Sequence, residues 1–178
     1  MRIIGGKFKG RRFLPPAKGW PTRPTTDYAK EGLFNVLTNR IDFEETKVLD
    51  LFGGSGNISY EFISRGVTDM TYVDKFPACV HFVKATASQL KVEEQIRVFR
   101  RDVFRFITKV DEQFDLIFAD APYHLEKLNT IPDLIFEHNR LSENGLLIVE
   151  HDAQNDFTTH AHFIETRKYG STIFSFFE

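Results

Sequence analysis

Val48-Leu49-Asp50-Leu51-Phe52-Gly53-Gly54-Ser55-Gly56 passes from an apolar strand into a glycine-rich turn. Glycines at 53, 54 and 56 let the backbone leave the strand sharply and approach a ligand closely. A helix that starts there aims its free N–H groups at whatever occupies the turn. A dinucleotide fingerprint would place glycine or alanine at position 59, where this chain has Ser59. The pattern Asp-x-Phe-x-Gly-x-Gly suits an S-adenosylmethionine loop better. Asp50 is then expected to hold the loop or the cofactor's amino group, with Phe52, Gly53, Gly54, Ser55 and Gly56 forming the cradle.

From Lys47 onward, apolar runs alternate with helical patterns. Strands are predicted over 47–52, 69–73, 96–100, 114–119 and 145–150, and helices over 55–65, 77–91, 102–109 and 126–140. Pro77 suits the first turn of its helix. Such alternation marks a parallel sheet covered on both faces, an α/β fold. The end differs: 162–166 and 172–176 flank Lys168-Tyr169-Gly170 and read as an antiparallel hairpin. Asp74, with Lys75 after it, closes the second strand, where an acid can accept hydrogen bonds from ribose hydroxyls. Asp102, before Val103, follows the third strand and is placed to meet an adenine amine.

Asp120-Ala121-Pro122-Tyr123 follows the apolar run Phe114 to Ala119 and resembles the amine-methylation site of nucleic-acid methyltransferases. An exocyclic amine is a poor nucleophile because its lone pair is delocalised into the ring. Hydrogen bonds from its N–H groups to Asp120 and to a backbone carbonyl, that of Ala121, favour the pyramidal form. Tyr123 offers a face on which an extruded base can stack.

The charge is divided. The net charge is −2, yet residues 1–40 carry nine Lys/Arg against two acids, and residues 41–178 carry 14 against 23. A basic head on an acidic body suggests a polyanion held at one end. The head, 1–14, reads as a short hairpin, Pro15 to Pro24 as a linker, and Thr26 as the N-cap of a helix from Asp27 to about Asn39. The domain division expected is therefore 1–22, a basic hairpin and linker that holds the polyanion, and 23–178, a cofactor-binding catalytic domain. The lone Cys79 rules out an internal disulfide and fits a reducing compartment, so a cytoplasmic location is expected. No apolar run approaches the roughly 18 residues of a membrane span. His160 and His162 alternate, but no third ligand is evident, so no metal is expected.

Four segments together carry a resemblance. These are Met1 through Arg12 (Met-Arg-Ile-Ile-Gly-Gly-Lys-Phe-Lys-Gly-Arg-Arg), Arg23-Pro24-Thr25-Thr26-Asp27, Leu49 through Gly56, and the Asp120 motif. The set closely resembles the bacterial RsmD-type family of small-subunit ribosomal RNA guanine-N2 methyltransferases, over nearly the whole chain. The resemblance implies a class I Rossmann-like fold, whose parallel sheet ends in an antiparallel hairpin, with a small N-terminal hairpin arm. It implies S-adenosylmethionine as cofactor and RNA of the small subunit, free or within a particle, as partner. It implies that Arg2, Lys7, Lys9, Arg11, Arg12 and Arg23 grip RNA, and that Arg23, Thr25 and Thr26 close over the cofactor's methionine end. Two residues depart from the family pattern: Ala121 replaces proline and Gly53 replaces alanine, the second a change the loop should tolerate. Two other readings remain open: an adenine-N6 methyltransferase, since the tetrapeptide serves either amine, and an RNA-binding assembly factor whose catalysis has decayed at Ala121.

Overall fold

The computed structural model of the chain describes residues 1–16 and 25–178. Arg23 and most of the expected linker lie outside them. Seven strands form one sheet: β1 (Lys47–Leu51), β2 (Asp69–Asp74), β3 (Ile96–Arg100), β4 (Phe114–Ala119), β5 (Leu141–His151), β6 (Phe163–Tyr169) and β7 (Thr172–Phe177). Their order is β3-β2-β1-β4-β5-β7-β6. The first five are parallel, whereas β7 runs antiparallel to both β5 and β6. This is the parallel sheet closed by an antiparallel hairpin that the sequence pattern predicts. β3 and β6 are the two outer strands.

Among the described residues, five α-helices cover the sheet: α1 (Asp27–Leu37), α2 (Asn57–Ser64), α3 (Pro77–Leu90), α4 (Val103–Lys109) and α5 (Ile131–Glu137). Strand residues alternate between two apolar layers. Val48, Met70, Leu116, Phe118 and Ile148 join α1, α2 and α3 on one face. Leu49, Leu51, Val73, Ile117 and Val149 join α4 and α5 on the other. The fifth helix is shorter than the expected 126–140, because Pro132 fits only the first turn and a 3₁₀ turn, Leu128–Thr130, precedes it. β5 begins four residues before the expected 145, with an irregular register against β4 between Phe114 and Leu116. Residues 152–162, between β5 and β6, contain no helix; Phe157 packs from that loop onto the α5 face.

The N-terminal segment folds back on itself as expected, but with a single bridge, Arg2 with Arg12, and a 3₁₀ turn at Gly6–Phe8. It is fastened to the body. Ile3 is buried in the α1–α3 layer. The Phe8 N–H donates to Ser64 Oγ at 2.9 Å, and the Ser64 hydroxyl donates to the Gly5 carbonyl at 2.5 Å.

A buried ion pair completes this attachment. Lys30 and Glu61 are both fully buried, with Nζ 3.4 Å from Glu61 Oε2. The ammonium donates to the Arg2 carbonyl at 2.6 Å and to Asn57 Oδ1 at 2.8 Å. Glu61 accepts the Ile4 N–H at 2.9 Å and Arg65 Nε at 2.9 Å. Burial pushes the Lys30 ammonium toward losing its proton, and Glu61 opposes that loss. Glu61→Ala strands the ammonium without its counter-charge, so it should destabilise the fold by about 3–5 kcal/mol. Urea unfolding followed by circular dichroism measures this, and a loss below about 1 kcal/mol would show that the pair is not needed.

Candidate active site

The C-terminal ends of the five parallel strands each present an acid: Asp102 beyond β3, Asp74 on β2, Asp50 on β1, Asp120 just past β4 and Glu150 on β5. The sheet order turns between β1 and β4, the place where open α/β sheets bind ligands. A cavity of about 520 Å³ opens there. Its wall includes Thr25, Asp50, Phe52, Gly53, Gly54, Ser55, Asp74, Lys75, Asp102, Val103, Asp120 and Pro122, all expected site residues. It also includes residues that the sequence did not single out: Asn57, Ile58, Phe76, Phe104, Phe118, His124 and Leu125.

The glycine loop is shaped by its neighbours. Gly56 has φ +73° at the head of α2, a conformation that favours glycine, and its N–H donates to the Gly53 carbonyl at 2.7 Å. Phe52, with a side chain, also adopts a positive φ of 60°, a strained geometry of the kind that collects at functional sites. Asp74 holds the loop: its two oxygens accept the Gly54 N–H at 2.9 Å and the Phe76 N–H at 2.8 Å. Gly53 is explained by Tyr72. A Cβ at position 53 would lie 2.3 Å from the tyrosine ring, and the Tyr72 hydroxyl donates to the Gly54 carbonyl at 2.7 Å. Glycine here and tyrosine there form one packing solution, so the departure from alanine is built in.

Several expected residues sit elsewhere than in the cavity wall. Thr26 is the N-cap of α1, accepting the Ala29 N–H at 3.2 Å, as its position before the helix suggests. Gly56 turns the chain behind the wall. The Ala121 side chain is buried in the α4–α5 layer. One oxygen of Asp102 caps α4 by accepting the Arg105 N–H at 3.1 Å, although the residue still borders the cavity. Tyr123 is half-buried and turned toward Glu150, its hydroxyl donating to Oε1 at 2.9 Å.

Glu150 is the functional-looking residue that the sequence reading missed. It is 2% exposed, and its other oxygen accepts the Thr25 hydroxyl at 2.7 Å. Carrying the β4–β5 register of Ala119 with Val149 one step further sets Asp120 beside Glu150. The available signal was its place at the end of an apolar strand, the same signal that identified Asp50 and Asp74.

Burial of these acids raises their affinity for protons. Burial pushes Asp50 up to about 7, against a hydrogen bond from Ser59 and with help from Asp74. Burial and then the Glu150 and Asp50 charges hold Asp120 well above the carboxylate range. Burial raises Glu150 and Asp74 as well. A cavity lined this way favours a cation, which would let the acids ionise. Aromatic walls from Phe52, Phe76 and Phe104 suit a flat ring.

Of the expected RNA-facing residues, Arg2, Lys7, Lys9, Arg11 and Arg12 are all exposed. Arg2 pairs with Asp27 at 2.8 Å, and Lys7 reaches Gln95 at 3.3 Å. Lys7 and Arg11 lie over the Phe8 ring. No group of three or more potential metal ligands occurs among the described residues, nor does any helix among them suit a membrane crossing.

A family model described as conserved hypothetical protein 95 matches residues 1–178. The chain is 32% identical to ribosomal RNA small subunit methyltransferase D of Haemophilus influenzae, over 89% of this chain and 82% of that one. It belongs to this family. YlbH of Bacillus subtilis, provisionally named an rRNA methyltransferase, is 36% identical over 97% of this chain and 95% of its own length. The methyltransferase D family fold is also that of solved structures. A Thermus thermophilus hypothetical protein superimposes with a TM-score of 0.85 at 25% identity, covering 100% of this chain and 99% of that chain. A Salinibacter ruber RNA methyltransferase, solved with S-adenosyl-L-homocysteine, superimposes with a TM-score of 0.68 at 15% identity over 87% and 92%. The fold is the Rossmann-like methyltransferase fold.

Asp50 gives a test of the site's electrostatics. With its carboxyl raised to about 7, Asp50 favours the folded state while protonated, and that stability is lost as pH rises from about 4 through about 7. Asp50→Asn removes this part of the pH dependence. Urea unfolding of the ligand-free protein at pH 5 and pH 8 should show wild type losing roughly 2–3 kcal/mol more than the variant. Equal losses would place Asp50 in a more solvated setting.

Proposed function

We propose that this protein transfers a methyl group from S-adenosylmethionine to the exocyclic N2 amine of a guanine in small-subunit ribosomal RNA. The observation that carries this reading is the meeting of Asp120 and Pro122 with the glycine loop in one cavity, at the turning point of the sheet. The names of the family's relatives support ribosomal RNA as the substrate class. The basic N-terminal signature supports an RNA acceptor over DNA.

The cavity fits the cofactor. Asp50 and Asp74 would supply negative charge for its cationic groups, Asp74 would hold the ribose, and Phe52, Phe76 and Phe104, which line the same cavity, would flank the adenine. When bound, S-adenosylmethionine supplies a methyl on a cationic sulfur, whose C–S electron pair stays on sulfur as the carbon passes to the acceptor nitrogen. Lys75, Asp102 and Val103 close the adenosine end, and Thr25 the opposite end. Asp120 accepts a hydrogen bond from the amine and draws its lone pair toward the donor. The nitrogen loses one proton as it gains carbon, and Asp120 stands where that proton leaves. The carbonyl of Ala121 survives the replacement of proline, so the second acceptor is kept. Tyr123 stacks on the extruded base. Positioning is most of the protein's contribution, since the donor is already activated.

Incubation with labelled cofactor and small subunits that lack the modification, followed by digestion to nucleosides, tests the proposal. Label is expected in N2-methylguanine. Asp120→Ala should bind cofactor and RNA yet transfer methyl about 10²–10³-fold more slowly. Label in N6-methyladenine would instead support the adenine reading, and absence of label the assembly-factor reading.

We also assign the RNA grip to Lys9, Arg11 and Arg12, with Arg23 as a further contact. Deleting the head is a poor test, because Ile3 and the backbone of Arg2 and Ile4 belong to the core. Replacing Lys9, Arg11 and Arg12 together by alanine should weaken RNA binding and reduce the slope of log affinity against log salt by about 2–3. An unchanged slope would remove these side chains from the interface.

A further inference from the structure

We propose that Glu150 is a positioning residue for the reaction: it joins Thr25 and Tyr123 to the strand end beside Asp120, and so fixes where the acceptor amine sits. The proposal rests on reading residues 120–123 as the amine site. Glu150 is not part of that motif and follows it by 27 residues or more, on the neighbouring strand.

The geometry is specific. A buried carboxylate without partners is costly, yet Glu150 is 2% exposed and spends both oxygens on groups from two separate loops. Oε2 takes the Thr25 hydroxyl at 2.7 Å, and Oε1 takes the Tyr123 hydroxyl at 2.9 Å. The Thr25 hydroxyl donates its proton to Glu150 and, on the Asp120 side, lowers that acid's proton affinity. Thr25 is tied in turn to the head of α2, its carbonyl accepting Asn57 Nδ2 at 3.1 Å. Glu150 is therefore the point at which the loop before α1 and the loop after β4 meet. An apolar side chain at the end of β5 would fill the space but remove the acceptor that both hydroxyls share. The next residue, His151, takes no part, because its ring reaches Ser175 Oγ at 2.7 Å and the Asp152 carbonyl at 2.8 Å.

Charge follows from the same placement. The groups acting on Asp120 are Asp50 from β1, Glu150 from β5 and the Thr25 hydroxyl. Two acids raise its proton affinity and one hydroxyl lowers it. A carboxylate that must receive a proton from a weakly acidic amine benefits from that rise. Glu150 thus sets the place of Tyr123 and adds, after burial, to the basicity of Asp120.

Glu150→Gln preserves shape and removes the charge. Two readouts test it. Carboxyl-carbon NMR of the ligand-free protein should show Asp120 titrating at least about half a pH unit lower in the variant. In the methyl-transfer assay, kcat should fall about tenfold or more with the cofactor dissociation constant within about twofold, and the acid limb should move to lower pH. Tyr123→Phe, which keeps the ring and cuts its tether, should lower kcat while leaving cofactor affinity alone. An Asp120 titration that does not move in Glu150→Gln overturns the proposal, as does full turnover in Tyr123→Phe. The NMR arm needs no substrate, so it stands even if the RNA acceptor proves different. Wild type inactive on every guanine acceptor would count against the functional reading instead.

Discussion

The buried contact of Lys30 with Glu61 holds together parts of the chain that would otherwise have no reason to meet. The lysine comes from α1, the glutamate from α2, and the remaining partners from the backbone of residues 2 and 4 and from Asn57. Asn57 opens α2 directly after the glycine loop and also holds the Thr25 carbonyl. One desolvated ammonium therefore fixes the N-terminal segment, the entry to α1 and the floor of the cavity. Taking such charges out of water is expensive, and the arrangement stands because nearly every polar atom around it is partnered. The basic residues 9–12 are thereby anchored relative to the cavity.

The second organising constraint is the burial of carboxyl groups. Asp50, Asp74, Asp120 and Glu150 are brought to one rim by parallel strands of matched register, and each is pushed toward its neutral form there. Backbone N–H groups and hydroxyls from Ser59, Thr25 and Tyr123 offset part of that strain. A rim with this character discriminates by charge before shape. A cation brought to such a rim lets the buried carboxyls ionise, whereas a neutral molecule of the same shape does not.

Most of the fold was legible because its signals are local. Strands at 69–73, 96–100 and 114–119 are short segments rich in apolar and β-branched or aromatic residues, and Pro77 and Thr26 mark helix starts that the structure bears out. Asp50, Asp74 and the Asp120 motif were legible because each closes such a run. The rest depends on distant partners. The early start of β5 follows from pairing across an irregular register, not from its polar residues 142–144. Tyr72 as the reason for Gly53 lies 19 residues away and could not be read from the loop itself. Glu150 also closes an apolar run, but its partners Thr25 and Tyr123 come from two separate loops that the sequence does not bring together. The helical cap made by Asp102 competes with the contact foreseen for it, and the acid serves the nearer N–H first.

The two outer strands also set how the molecule meets copies of itself. An open sheet edge is a template for a further strand, and a row of unpaired backbone groups invites stacking into fibrous aggregates. β3 presents Arg97 and Arg100, with Arg97 linked to Glu112 and Asp69; β6 presents Glu165, Arg167 and Lys168, with Glu165 linked to Arg40. A strand arriving at either border must strip water from guanidinium and ammonium groups before it gains a ladder. A sheet this rich in phenylalanine thus carries its own guard against polymerisation, and that guard is electrostatic.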